Sequence, residues 1–364
     1  MLNRLLRLIL KEFQVALGDK RARLMLIMPV VLQTLVFPFA ATLEVKNATL
    51  AIYNQDAGQA SVELIQRLSR TAAFSTLLMV RDDHALQQAI DGQEALLALR
   101  FPADFSCRLS SGAQASVQVL LDGRRSNSGQ IAAGYVSSVL QAYAVERGAR
   151  PASTLSVRNL HNPNLDFKWH VLPSLVAIIT TIGCLMVTAL SVAREREEGT
   201  FDQLLVSPLT PAYIMAGKAV PGVVIAVAQG CFIALAAVWG YGVPFTGSVP
   251  LLLTGMVFYG LALAGVGLFI SSISENQQQA FLGVFTFMAP AVMLSGYVAP
   301  IENMPRFFQW VAFCNPLAYF IPILKGAFLK HYGFADGWAL LWPMLAIALV
   351  TLTAALRLFR RHIA

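Results

Sequence analysis

Long apolar stretches alternate with polar joints along this chain, and the spacing of the two sets most of its elements. Apolar runs cover Leu24 to Leu43, Val171 to Ala193, Ala219 to Gly240, Val249 to Ile270, Ala280 to Val298 and Trp338 to Leu356. A helix needs about 20 residues to cross a hydrocarbon core of roughly 30 Å, so each run is long enough to span. Five of them crowd into the C-terminal half with short polar joints, which suits a bundle of membrane helices better than a single buried core helix. The pattern predicts a polytopic α-helical membrane protein with about six transmembrane helices.

Before the first run the period changes. Leu2, Leu5, Leu6, Ile9, Phe13, Ala16 and Leu17 recur at helical spacing, while Arg4, Arg7, Lys11, Gln14 and Gly18 take the opposite face. Residues 1–23 therefore read as a cytoplasmic amphipathic helix in the headgroup plane, followed by a first transmembrane helix over 24–43. No apolar stretch followed by a small-residue cleavage site marks a signal peptide.

Residues 44–168 behave differently, with acids and bases nearly balanced and no spanning run. Strand-like segments at Thr49 to Asn54, Ser75 to Val80, Ala95 to Phe101 and Ser116 to Asp122 alternate with helical ones at Ser61 to Arg70, Asp83 to Asp91 and Asn127 to Arg147. This predicts an inserted α/β extracytoplasmic, periplasmic domain. Asp82 or Asp83 can cap its helix and Pro102 closes a strand, while Pro151 to Lys168 reads as an irregular return linker. The remainder, 169–364, is a five-helix transmembrane region with a cytoplasmic loop at 194–218 and outer re-entrant or surface helices at 299–337.

Composition supports the bilayer as solvent, since 56% of the residues are hydrophobic and 13% charged. The net charge of +7 is distributed in a way that fixes orientation. Arg4, Arg7, Lys11, Lys20, Arg21 and Arg23 precede the first span, Arg194, Arg196 and Lys218 flank one loop, and Arg357, Arg360 and Arg361 close the chain. Short loops rich in Lys and Arg stay inside, so both termini are expected in the cytoplasm, with the chain in the cell inner membrane. Membrane placement accounts for the positive charge without a nucleic acid.

The chemistry that is missing narrows the function. The assigned spans contain no Asp, Glu, Lys, Arg or His, the groups with which ion-coupled carriers usually bind or relay their ion. Gly217-Lys218 lacks the upstream glycine and the following Ser or Thr of a phosphate-binding loop, and there is no nucleophile elbow or HExxH helix. The five histidines show no paired metal spacing and the four cysteines imply no disulfide framework. Catalytic residues, metal ligands and a cofactor on this chain are thus not expected. Small residues at Gly255, Gly260, Ala262, Ala264, Gly265 and Gly267 suit close helix packing. An ion-coupled secondary transporter and a membrane-anchored envelope scaffold or sensor remain as alternatives to a carrier driven by another molecule.

The loop that starts at Ala193 is the most specific feature. A charged helix end, a glycine break and a short apolar segment can present a knob for a soluble partner. Glu195, Arg196, Glu197, Gly199, Thr200, Leu204, Leu205, Ser207 and Pro208 match the E-R-E-x-G-T-x-x-x-L-L-x-S/T-P hallmark of the ABC-2 type permeases of ABC exporters. The stretch from Ser295 and Gly296 through Pro300 and Pro305 to Asn315, Pro316, Tyr319 and Phe320 resembles that family's outer segment, although Tyr297-Val298-Ala299 replaces a more aromatic run. The resemblance covers essentially the whole chain.

It implies an ABCG-like permease that moves substrate outward with ATP and magnesium held by a separate nucleotide-binding ATPase. It also implies a second permease, as homodimer or sister chain, and, for the subgroup with a long insert, a periplasmic membrane-fusion protein. The ATPase-coupling set would be Arg194, Glu195, Arg196, Glu197, Gly199, Thr200, Phe201, Leu204 and Leu205, with the glutamates orienting the loop and Phe201 and Leu204 filling the partner's groove. The outer gate would be Gly296, Pro300, Asn315, Pro316 and Tyr319. Phe285, Phe287 and Met288, with Met293, could line an apolar substrate path.

Overall fold

A computed structural model describes residues 2–18, 20–40, 48–71, 73–121, 124, 126–147, 166–206 and 209–361. The chain divides into two compact units, one of residues 41–158 and one of residues 1–40 with 159–364.

In the inserted unit the order is β1 (Ala48–Asn54), α3 (Gln59–Ser69), β2 (Phe74–Val80), α4 (Asp83–Asp91), β3 (Leu97–Phe101), α5 (Phe105–Ser110), β4 (Gln118–Leu121) and α6 (Ser126–Glu146). The sheet order is β2-β1-β3-β4, with β1 parallel to β2 and β3 and with β4 antiparallel to β3. Alternation along β1 sends Leu50 and Ile52 to one face, where they meet Leu64, Leu68, Ala132 and Val136 of the helices. Ala51 faces the other way, against Leu86 and Ala89 of α4. The result is a sheet between two helical layers. Asp82 Oδ1 accepts from the Ala85 backbone N–H at 2.6 Å, capping α4. The helix α5 was not predicted, because six residues are too few to show a period.

The other unit is helical: α1 (Leu2–Gly18), α2 (Lys20–Ala40), α7 (Phe167–Glu197), α8 (Phe201–Leu205), α9 (Pro211–Leu235, continued by a π-turn at Ala236–Gly240), α10 (Val249–Ile273), α11 (Gln277–Met293), α12 (Arg306–Phe313), α13 (Pro316–Leu329) and α14 (Phe334–Arg361). Among the described residues four helices are long and apolar enough to cross a membrane, namely α7, α9 with its π-turn, α10 and α14. Two bent pairs, α1–α2 at 65° and α12–α13 at 76°, raise the number to six if each counts as a span. The predicted run Ala280 to Val298 is a shorter helix, because α11 stops at Met293 and Gly296 turns at φ 80°. Conversely, α7 begins at Phe167, inside the expected linker, because an apolarity window excludes Lys168 and His170 although the helix continues through them.

Polar contacts hold the first span in place. Pro38 removes the N–H that would bond the Thr34 carbonyl, and the Tyr241 hydroxyl donates to that oxygen at 2.7 Å. One end of α2 is therefore fixed to the end of α9. Nearer the other end, Gln229 Nε2 donates to the Leu26 carbonyl at 2.9 Å.

Candidate functional site

The loop after α7 is built by a helix stop. Gly199 adopts φ 69°, a left-handed turn that favours glycine, and the Thr200 and Gly199 N–H groups bond the Glu195 and Arg196 carbonyls at 2.9 and 3.2 Å. The chain then turns into α8. The charged residues before the break tie it to the neighbouring helices. Glu197 Oε2 accepts from the Gln277 backbone N–H at 3.0 Å, at the start of α11. The Arg196 guanidinium donates to the Ser274 carbonyl at 3.0 Å, at the end of α10, and lies 5.0 Å over the Phe201 ring. Arg194 reaches Gln277 Oε1 at 3.4 Å and the Val15 carbonyl at 3.5 Å.

Glu195 is different, because it is buried. Its carboxylate meets Lys11 Nζ of α1 at 2.9 Å through one oxygen and Lys218 Nζ of α9 at 2.9 Å through the other. Lys218, fully buried, also meets Glu12 Oε1 of α1 at 2.9 Å and donates to the Ser191 carbonyl at 3.3 Å. Two lysines and two glutamates form a neutral set that joins α1, α7 and α9. Gly217 allows the approach, since a Cβ there would lie 2.5 Å from Leu8 Cδ2 of α1. The Gly217-Lys218 pair thus has a structural use in place of a phosphate loop.

The expectation that the spans are free of charge changes at this point. Helix α9 starts at Pro211, so Lys218 lies two turns inside it rather than on a flanking loop. A buried lysine is tolerated because two carboxylates face it. Sequence reading missed Lys11, Glu12, Lys218, Ser274 and Gln277 as a constellation. One signal was present: Glu12 continues the stripe of half-buried Leu5, buried Leu8 and half-buried Val15 at helical spacing, where an apolar residue is the rule.

The expected groove-filling residues also turn inward. Phe201 packs edge to face on the buried Phe359 of α14, with centroids 5.8 Å apart, and Leu204 rests partly buried on the same core. The backbone of Leu205 is described and its side chain is not, while Ser207 and Pro208 lie outside the described residues. Glu197, Glu198, Gly199, Gln203 and Val206 are the exposed positions among the described side chains of the segment. Thr200 is half-buried. Between this loop and α1 lies a cavity of about 390 Å³ lined by Lys11, Glu12, Arg194, Glu198, Gln203 and Leu204, among others.

The outer-segment residues gather at the α11–α13 turn. Asn315 caps α13 through its Oδ1, which accepts from the Leu317 N–H at 3.1 Å, and its Nδ2 donates to the Ala291 carbonyl of α11 at 2.7 Å. Pro316 occupies the first helical turn, Tyr319 Oη donates to the Phe313 carbonyl at 3.0 Å, and Pro300 precedes a short 3₁₀ turn at Ile301–Asn303. Phe285 is exposed on α11 beside Phe281, whereas Phe287 and Met288 are half-buried. None of the three lines the cavity between the loop and α1.

Comparison with known proteins adds an independent line. Residues 20–357 match the model of a family described as "ABC-2 family transporter protein". The chain is 50% identical to the "Probable multidrug ABC transporter permease YbhR" of Escherichia coli K12 over the full length of both. It is 28% identical to the "Inner membrane transport permease YhhJ" of the same strain, covering 100% of this chain and 98% of the relative. With the "Probable multidrug ABC transporter permease YbhS", also from that strain, it shares 25% identity over 90% of this chain and 89% of the relative.

Proposed function

The chain belongs to the ABC-2 transporter family as a multi-pass inner-membrane permease subunit of an ABC exporter, and from that premise we propose that residues 194–206 receive the mechanical stroke of a separate nucleotide-binding ATPase. One observation carries the reading. The residue just before the exposed loop, Glu195, is tied by ion pairs to both α1 and α9, so a displacement of the loop loads three helices together. The partner would meet the exposed edge of Glu198, Gln203 and Val206, entering the cavity between α1 and the loop, while Phe201 and Leu204 anchor that edge to the permease.

ATP and magnesium belong to the ATPase in this scheme, and nucleotide acts through its differential affinity for two arrangements of the assembly. A second permease, identical or sister, completes the pathway, and a periplasmic membrane-fusion protein is the proposed partner of the inserted unit. Both chain termini and the 194–206 loop face the cytoplasm in this scheme, a reading supported by the placement of Lys and Arg. The relatives named as multidrug permeases make amphipathic drugs the proposed cargo class.

The test has two arms. A cysteine introduced at Gln203 should react with a membrane-impermeant thiol reagent in inverted vesicles and not in right-side-out ones. Gly199→Pro, reconstituted with its ATPase, should keep hydrolysis and membrane insertion while losing transport. Labelling from the outer side, or normal transport by the proline variant, would refute the assignment.

A further inference from the structure

A second cavity, of about 240 Å³, lies on the membrane side of the ion cluster, between the α1–α2 pair, α7 and the start of α11. Val15, Met25, Leu26, Met186, Val187 and Leu190 make most of its wall apolar, and Glu12, Ser191, Arg194 and Gln277 gather at one pole. Two methionines give the wall adaptable shape.

The pole has unmet bonding capacity. Ser191 Oγ is shielded from solvent and has no hydrogen-bond partner among the described residues. The Arg194 guanidinium reaches only neutral acceptors, at 3.4 and 3.5 Å, and no carboxylate lies within ion-pair distance of it among the described side chains. Glu12 does not cancel this charge, because Lys218 already balances it at 2.9 Å. Lys11, Lys218, Glu12 and Glu195 sum to zero, so among the cavity's own lining residues the guanidinium is the remaining charge, with the Glu197 carboxylate acting on it from beyond the lining.

We infer that this cavity binds an anionic phospholipid of the cytoplasmic leaflet, with its phosphate on Arg194 and Ser191 and one acyl chain among Met25, Met186, Val187 and Leu190. A forked guanidinium matches phosphate oxygens, and a hydroxyl adds a donor beside it. The pole sits at the end of α7, where its last basic residues enter the headgroup layer, so the lipid reaches it sideways without leaving the leaflet. A volume below the usual range for drug-sized sites admits part of one chain. The inference needs only the membrane placement of the loop and not the ATPase reading.

Native mass spectrometry of the full-length chain, released from nanodiscs of equal phosphatidylglycerol and phosphatidylcholine with matched acyl chains, tests it without nucleotide or partner. Wild type should retain phosphatidylglycerol about tenfold over phosphatidylcholine, since both lipids offer a phosphate to the guanidinium but the choline cation of the second is repelled by it. Arg194→Gln should reduce the ratio to parity, Arg194→Lys should keep most of it, and Val187→Trp, which fills the apolar part with Arg194 intact, should lose both lipids. Parity in wild type, a preference that survives Arg194→Gln, or full retention by Val187→Trp would overturn the site. Because no coupling is measured, failure here leaves the loop assignment standing, and failure of the loop assignment leaves a lipid preference readable.

Discussion

The molecule solves the same problem twice, once in water and once away from it. In the inserted unit Arg67 bridges Glu63 at 2.9 Å and Glu146 at 2.7 Å, and Arg147 meets Glu63 at 2.8 Å, tying α3 to α6. At the root of the membrane unit Lys218 and Lys11 meet Glu12 and Glu195 at 2.9 Å throughout. Pair length does not distinguish the two sets; exposure does. The first set has side chains 33–58% exposed, while Lys218 is 0% and its two glutamates 7–8%, with Lys11 at 51% the one open member. Exposed pairs are screened and contribute little, whereas a buried set is held by the penalty of leaving any member alone. Ion pairs in the inserted unit are therefore replaceable surface detail, and those in the membrane unit are a condition of its assembly.

Lys218→Met should produce the largest effect, because it strands the buried Glu12 and leaves Glu195 with Lys11 alone. We expect a loss of about 3–5 kcal/mol, read as a drop in melting temperature of the detergent-purified chain. Converting Glu12 and Glu195 to Gln in the same chain should recover most of it, and a mild effect of the single variant would erase the contrast drawn above. Next comes Tyr241→Phe, which removes the donor from a carbonyl that Pro38 has orphaned and should cost about 1–3 kcal/mol. Pro38→Ala returns a helical N–H to that carbonyl, so adding it should make Tyr241→Phe nearly neutral; additive losses would disprove the coupling.

A third expectation concerns acid. Burial pushes the Asp56 carboxyl up, but hydrogen bonds from the Ser106 and Ser61 side chains and from backbone N–H groups outweigh it and hold the group below the ordinary 3.8. With the folded value depressed, the unfolded chain binds more protons, so this stabilisation is complete above the ordinary value and is lost as pH falls through the folded one. Asp56→Asn should flatten that acid limb when unfolding of the inserted unit is followed against pH, and an unchanged limb would assign the dependence elsewhere. Glu63→Gln belongs at the bottom of the order. Its carboxyl is held low mainly by the side chains of Arg67 and Arg147, yet it is open to water, and no resolvable shift in melting temperature is expected.

What could be read from the sequence follows the same division. Strand alternation, the Asp82 cap and the strand stop at Pro102 are local, so the inserted unit was legible apart from α5. The apolar runs located α7, α9, α10 and α14 for the same reason. The ion cluster was not legible, because Lys218 and Glu12 are 206 positions apart and Lys11 and Glu195 are 184 apart, and no local rule pairs them. The inward turn of Phe201 was hidden likewise, since its partner Phe359 lies near the other end of the chain. The left-handed Gly199, by contrast, was anticipated from a charged helix end followed by glycine.

Helix α10 has a mechanical consequence. Gly260 faces Val223 of α9, Gly265 faces Thr351 and the Leu352 backbone of α14, Gly267 faces Thr188 of α7, and Gly255 faces Ile323 and Phe320 of α13. A mast stayed on four sides at side-chain-free distance cannot slide or roll without jamming against one of its neighbours. Any stroke delivered to this permease must therefore be spent at its periphery, and α11, with Phe281, Leu282 and Phe285 still facing outward, is the member with room to swing.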